Sequence, residues 1–256
     1  MLHVYDTNHD HDRLADYTRV IGVGIQFAFQ PLVHLGLSRV MGYEALVRGR
    51  SGEPAASIIA NVRPDNLGYF DQACRTRAIH DAQAVGLRND LFLNCTELTP
   101  QDLELALRTT ADQSVAAGIG PESIVLEFAS LKKLGTPREL SSVREQAQAA
   151  GFRVLADNFG VGEAGLKRLA VFRPDYVKLD RELINQVHRS RTRQAIVIGV
   201  ASSCRALGIE VIAAGIERWE DVVWLRENTG IECFQGYYFA RPELNQKPLV
   251  DQQLLG

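Results

Sequence analysis

Short apolar runs recur along the chain and alternate with longer stretches whose apolar residues return every three or four positions. The runs fall at 25–30, 40–47, 91–95, 124–129, 153–158, 175–180, 210–216 and 232–239. Their length and their β-branched and aromatic content fit buried strands. Helix-patterned segments lie between them at 67–86, 100–117, 137–150, 163–170, 181–206 and 218–228. Thr99-Pro100 reads as an N-cap followed by proline at the first helical position, and Gly86, Gly118, Gly151 and Gly208 fall where helices stop. This alternation predicts a mostly parallel sheet, and eight strands in 256 residues point to a closed, TIM-like (β/α)8 barrel of the α/β class. The first connection departs from the rule. Only Pro31 to Arg39 separate the first two runs, too few for a parallel crossover, so the first strand is expected to run antiparallel to the second. With no Gly/Pro/Ser-rich linker, the expected organisation is a helical preface over 1–22 and one barrel domain over 23–256.

Almost every run carries a polar residue near its C-terminal end: Glu44, Asn94, Glu127, Asp157, Lys178 with Asp180, and Gln235. Barrel active sites form at that end of the strands, so these residues are expected to converge on one mouth. A buried carboxylate needs a partner. Three of them with an asparagine, and no His or Cys at the strand positions, read as an oxygen cage suited to Mg²⁺, Mn²⁺ or Ca²⁺ rather than zinc.

Composition narrows the partners. The formal net charge of −3 and pI near 6.1 argue against a DNA or RNA polymer as ligand, although a small anion needs only a local cation. Cys74, Cys95, Cys204 and Cys233 are scattered and are read as reduced thiols. No apolar run is long enough to span a membrane and the first sixteen residues are polar, so a cytoplasmic location is expected. The run HDHD at 9–12, with His9 and His11, and the basic stretch Arg189, Arg191, Arg193 are read as solvated segments.

The order of short blocks adds a resemblance. GYEALVRG around Glu44, FQPLV at 29–33, FLNC at 92–95, IVLEF at 124–128, DNFGVG at 157–162, PDYVKLD at 174–180, AAGIE at 213–217 and QGYYFARP at 235–242 follow one another as in the EAL-domain family. The sequence resembles that family over roughly residues 25–242. The resemblance implies a barrel with an antiparallel first strand. For active members it implies hydrolysis of cyclic di-GMP to pGpG with two Mg²⁺ or Mn²⁺ ions. It further implies that Glu44, Asn94, Glu127 and Asp157 bind the first ion, with Glu44 thereby in the catalytic set. Lys178 would hold or help activate the attacking water, and Asp180 would support that lysine. Gln235 would organise the site, Arg48 would meet a phosphate, and Gln30, Pro31 and Leu46 would contact the nucleotide.

The chain departs from the family pattern in one functional cluster. Asn158 stands where the family has a second aspartate, Ala214 and Ser130 stand where it has glutamates, and the loop reads Val161-Gly162-Glu163-Ala164-Gly165. The resemblance implies that the family's acids at Asn158 and Ala214 serve the second ion and its water and that the one at Ser130 helps hold the loop; the first-ion residues are all retained and the two second-ion acids are gone. The expectation is therefore a protein that binds cyclic di-GMP with weak or no hydrolysis. The alternatives are an active phosphodiesterase in which Glu163 or Glu217 compensates, and a protein-interaction module independent of the nucleotide. Family members frequently dimerise near the altered loop, so a homodimer is among the expectations.

Overall fold

A computed structural model describes residues 24–98, 102–160 and 166–255. The expected preface at 1–22, the Thr99-Pro100 cap, the loop at 161–165 with Glu163, and the histidines of the N-terminus lie outside these residues.

Nine strands occur among the described residues: β1 (Ile25–His34), β2 (Arg39–Gly49), β3 (Asp90–Asn94), β4 (Ile124–Phe128), β5 (Arg153–Phe159), β6 (Tyr176–Leu179), β7 (Glu210–Ala213), β8 (Cys233–Gln235) and the two-residue β9 (Glu243–Leu244). Strands β2 to β8 are parallel in sequence order, and β1 closes the sheet by pairing antiparallel with both β2 and β8. The short turn between β1 and β2 is a single 3-10 turn at Leu35–Leu37, too short to reverse direction through a helix. The helices are α1 (Ala55–Ile59), α2 (Leu67–Ala84), α3 (Leu103–Ala116), α4 (Pro137–Ala149), α5 (Leu166–Phe172), α6 (Arg181–Ile184), α7 (Arg191–Ala206) and α8 (Trp219–Thr229). α4 shows how local sequence sets an end. Thr136 Oγ1 accepts from Glu139 N–H, Glu139 Oε2 accepts from Thr136 N–H at 2.7 Å, and Pro137 occupies the first turn. No helix among the described residues is long and apolar enough to cross a membrane.

The expected helix over 181–206 is two helices joined by a break. Gln186 adopts a left-handed φ of 58°, and buried Asp221 of α8 accepts the backbone N–H groups of Gln186 and His188. Ser190 then caps α7 by accepting from Arg193 N–H. A carboxylate from a distant segment satisfies the donors that the helix would otherwise have used, which outweighs local propensity.

Two cores result. The outer faces of the strands pack against the helices, with Leu93, Leu126, Val154 and Val177 meeting Ile79, Leu140, Leu169 and Phe172 in one cluster. Inside the barrel, Leu32, Met41, Phe92, Val125, Leu155, Tyr176, Ile212 and Cys233 form a second cluster, one residue from each of β1 to β8. The interior is therefore a plugged apolar floor, each side chain of which contributes about 1.5–3 kcal/mol relative to exposure.

Candidate functional site

Side chains in a strand alternate between faces, so the residues two positions beyond that floor also face inward. On β3 to β6 and β8 these are Asn94, Glu127, Asp157, Lys178 and Gln235. On antiparallel β1 the matching step runs backwards, from Leu32 to Gln30, and Glu44 of β2 is paired with Gln30. Two residues beyond Ile212 stands Ala214, whose N–H continues the ladder to Leu179 O at 3.2 Å. The floor thus supports a polar ring with one blank position.

The ring is tightly bonded. Lys178 Nζ lies 3.0 Å from Glu44 Oε2 and 2.7 Å from Glu127 Oε1. Gln235 Nε2 donates to Glu44 Oε2 at 2.7 Å and to Gln30 Oε1 at 3.4 Å, and Gln30 Nε2 donates to Ala240 O. Asn94 Nδ2 reaches Glu44 Oε1 at 3.4 Å. Glu127 is fully buried, and its Oε2 has no hydrogen-bond partner among the described residues. Half-buried Asp157 takes both donors of exposed Asn158, the backbone N–H on Oδ1 at 2.8 Å and the side-chain amide on Oδ2 at 3.3 Å.

Burial opposes the negative charge of Glu44, but the ammonium of Lys178 and the amides of Gln235 and Asn94 outweigh it and hold this carboxyl below its ordinary range. Burial pushes Glu127 well above that range, with the charge of Glu44 adding to the effect and Lys178 opposing it. Asp157 is likewise raised, mainly by burial. Burial alone would discharge Lys178, but Glu127, Glu44 and Asp157 raise it above the usual lysine range. These carboxyl groups favour the charged form of Lys178.

Three carboxyl groups share one ammonium, two of them pushed by burial toward their neutral forms, and a divalent cation would favour their charged ones. The partnerless Glu127 oxygen and the all-oxygen donor set fit a hard divalent ion. Glu44, Asn94, Glu127 and Asp157 are the residues that would hold it. Among the described residues, Ala214 offers no donor, Asn158 is engaged with Asp157, and Glu217 is paired with Arg181 at 2.7 Å.

Other residues singled out in the sequence are placed less uniformly. Asp180 lies just past β6 and caps α6 by accepting from Glu182 N–H at 2.6 Å, while the ion-pair partners of Lys178 are Glu44 and Glu127. Pro31 alternates to the face of β1 opposite Gln30, beside Tyr43. Half-buried Arg48 donates to Val47 O and, with Glu44, Leu46 and Asn94, lines a cavity of about 180 Å³ between the barrel and α1–α2. The opposite wall carries buried Asp71 and Arg75, which the sequence reading did not single out. Their signal was two opposite charges at i, i+4 on a helix face otherwise made of Ala78, Ile79 and Ala82.

At the other pole of the barrel, His34, Glu210 and Cys233 also approach one another. His34 Nδ1 accepts from Leu37 N–H, which leaves the ring proton on Nε2, facing Glu210 Oε1 at 3.5 Å. Cys233 Sγ–H also points to Glu210. This cluster is a closed hydrogen-bond chain tying β1, β7 and β8 together.

Comparison with known proteins gives the family. The EAL domain family matches residues 20–242. The chain is 32% identical to the blue light- and temperature-regulated antirepressor BluF of Escherichia coli K12, over 88% of this chain and 56% of that protein. The chain therefore spans little more than half the length of that relative. Among solved structures it superposes on a standalone EAL protein from Vibrio cholerae O395 in its c-di-GMP-bound form, with a TM-score of 0.83 and 34% identity over 90% of this chain and 96% of that one. It also superposes on Klebsiella pneumoniae BlrP1 in a manganese/cyclic di-GMP complex, with a TM-score of 0.78 and 34% identity over 86% of this chain and 56% of that one. With the barrel, its reversed first strand and the family match all covering the same residues, the chain belongs to the EAL domain family.

Proposed function

We propose that this chain binds cyclic di-GMP at the mouth of the barrel through a single divalent cation, Mg²⁺ or Mn²⁺, and hydrolyses it weakly or not at all. The observation that carries the reading is the asymmetry of the polar ring: Glu44, Asn94, Glu127 and Asp157 on four neighbouring strands, with a partnerless Glu127 oxygen among the described residues, against the blank at Ala214. Two solved relatives, the V. cholerae protein and BlrP1, carry cyclic di-GMP in their structures.

In this reading the cation supplies positive charge to a phosphate oxygen. Lys178 holds Glu44 and Glu127 in place and presents a donor. Its place between two carboxyl groups that would hold the cation sets it beside any water or phosphate oxygen bound there. Arg48 offers a planar fork to the phosphate. Gln235 and Gln30 fix the orientation of Glu44. A two-ion displacement needs both attacking and leaving oxygens clamped, and this chain offers a clamp for one.

Incubation with cyclic di-GMP and excess Mn²⁺ tests the reading: calorimetric binding with the nucleotide recovered intact supports it, and release of pGpG, abolished by Glu44→Ala, overturns it. A second reading, a protein-interaction module that has left the nucleotide behind, draws on the name of one relative, an antirepressor. It predicts no heat with cyclic di-GMP.

A further inference from the structure

We propose that Asp71, braced by Arg75, is a positioning residue for the cation site, setting the exit of β3 and with it the side chain of Asn94. The inference rests on the reading of Asn94 as a cation ligand. The placement of Asn94 by Asp71 is also a property of the protein without any cation.

Strand β3 ends at Asn94. The next N–H, of Cys95, still bonds to Glu127 O at 2.8 Å, but Thr96 lies past the ladder. Asp71 Oδ1 takes both donors of Thr96, the backbone N–H at 3.1 Å and the hydroxyl at 2.7 Å. Its other oxygen is held by Arg75 Nη1, and Arg75 Nη2 continues to Gln72 Oε1 at 2.7 Å. Asp71 and Arg75 are 6% and 3% exposed, so both charges have left water. Such a pair costs several kcal/mol in desolvation and is often no better for stability than an apolar pair of equal volume. What an apolar pair cannot do is accept two hydrogen bonds from one residue of a strand end. Asn94 is thereby fixed on both sides, by the β4 ladder and by α2. A ligand held by a firmly placed outer partner binds a cation about 10- to 100-fold better than one left loose.

The test uses three variants of the whole chain. Thr96→Val removes one hydroxyl donor, Thr96→Ser keeps it, and Asp71→Val with Arg75→Met replaces the charge pair without leaving an unpaired charge, while removing the acceptor of both Thr96 donors. The first readout is the NMR side-chain amide pair of Asn94, identified by its loss in Asn94→Asp and recorded without added cation. The second is calorimetric Mn²⁺ affinity, with melting temperature as control. We expect Thr96→Val and the double variant to shift or broaden the Asn94 signals and to weaken Mn²⁺ roughly tenfold, with melting little changed and Thr96→Ser restoring both readouts. Unmoved Asn94 signals in Thr96→Val overturn the positioning role, whether or not the double variant folds. If the Asn94 signals move but the wild type takes no Mn²⁺, the positioning role stands and the cation reading falls. Mn²⁺ binding with unmoved signals gives the converse.

Discussion

Replacing Lys178 by methionine isolates the charge balance of the ring. The methionine keeps most of the side-chain volume but removes the ammonium that lies within 3.0 Å of Glu44 and 2.7 Å of Glu127. The side chains of Lys178 and Glu127 are 5% and 0% exposed, so solvent cannot replace the lost charge. Breaking a buried pair by deleting one partner costs about 3–5 kcal/mol. At about 2–4 °C per kcal/mol for a chain of this size, the melting temperature should fall by roughly 10 °C. Mn²⁺ should then recover part of the loss, since a ligand at a hundred times its Kd stabilises by about 2.7 kcal/mol. The Lys178→Met, Glu127→Gln double variant should melt closer to wild type than the single one, because it buries one carboxylate fewer. Differential scanning calorimetry with and without Mn²⁺ reads all three. A Lys178→Met protein that melts with wild type, or one that Mn²⁺ leaves unchanged, refutes the argument that the carboxylates depend on a cation.

Restoring the missing donors with Asn158→Asp and Ala214→Glu should raise pGpG release at least about a hundredfold, since each 1.36 kcal/mol of recovered charge stabilisation is a factor of ten; chromatography of the products reads it, and no gain would move the defect to the altered loop. Arg48→Ala should weaken cyclic di-GMP about 10- to 100-fold, the 1.5–3 kcal/mol of a charged hydrogen bond, in a calorimetric titration. Binding of a protein partner should survive that change. Gly236→Ala should destabilise the fold by about 1–3 kcal/mol, because a Cβ there would meet the backbone of Ile216 at 2.1 Å; an unshifted urea midpoint would show that the β7 and β8 exits can separate.

Much of the barrel was legible because its cause is local. Short apolar runs with one polar residue near the C-terminal end mark strands that cross an apolar floor and then reach a wet mouth, and the short Pro31–Arg39 link fixed the direction of β1. Strand 232–239 ended early, at Gln235, because Gly236 must pass against Ile216. The break in 181–206 was not legible, since its cause is Asp221, some thirty-five residues away in sequence. The same holds inside the site. The resemblance paired Asp180 with Lys178; in the fold the chain leaves the strand after Leu179, and the Asp180 side chain accepts from Glu182 N–H at the start of α6. Asp71 was missed for a related reason: its importance lies in Thr96, and no spacing along the chain joins them. The blank at Ala214 was legible only through the family pattern, and the floor-and-ring geometry gives it a physical place.

The number of Mn²⁺ ions bound per chain in the presence of saturating cyclic di-GMP tests the central claim most directly. Titration of protein–nucleotide complex against the free-Mn²⁺ resonance signal counts them. One ion per chain, lost in Glu44→Ala, is the predicted result. Two ions would mean that a second site has been rebuilt without Ala214 and Asn158, and none would mean that the ring serves the fold and not a ligand.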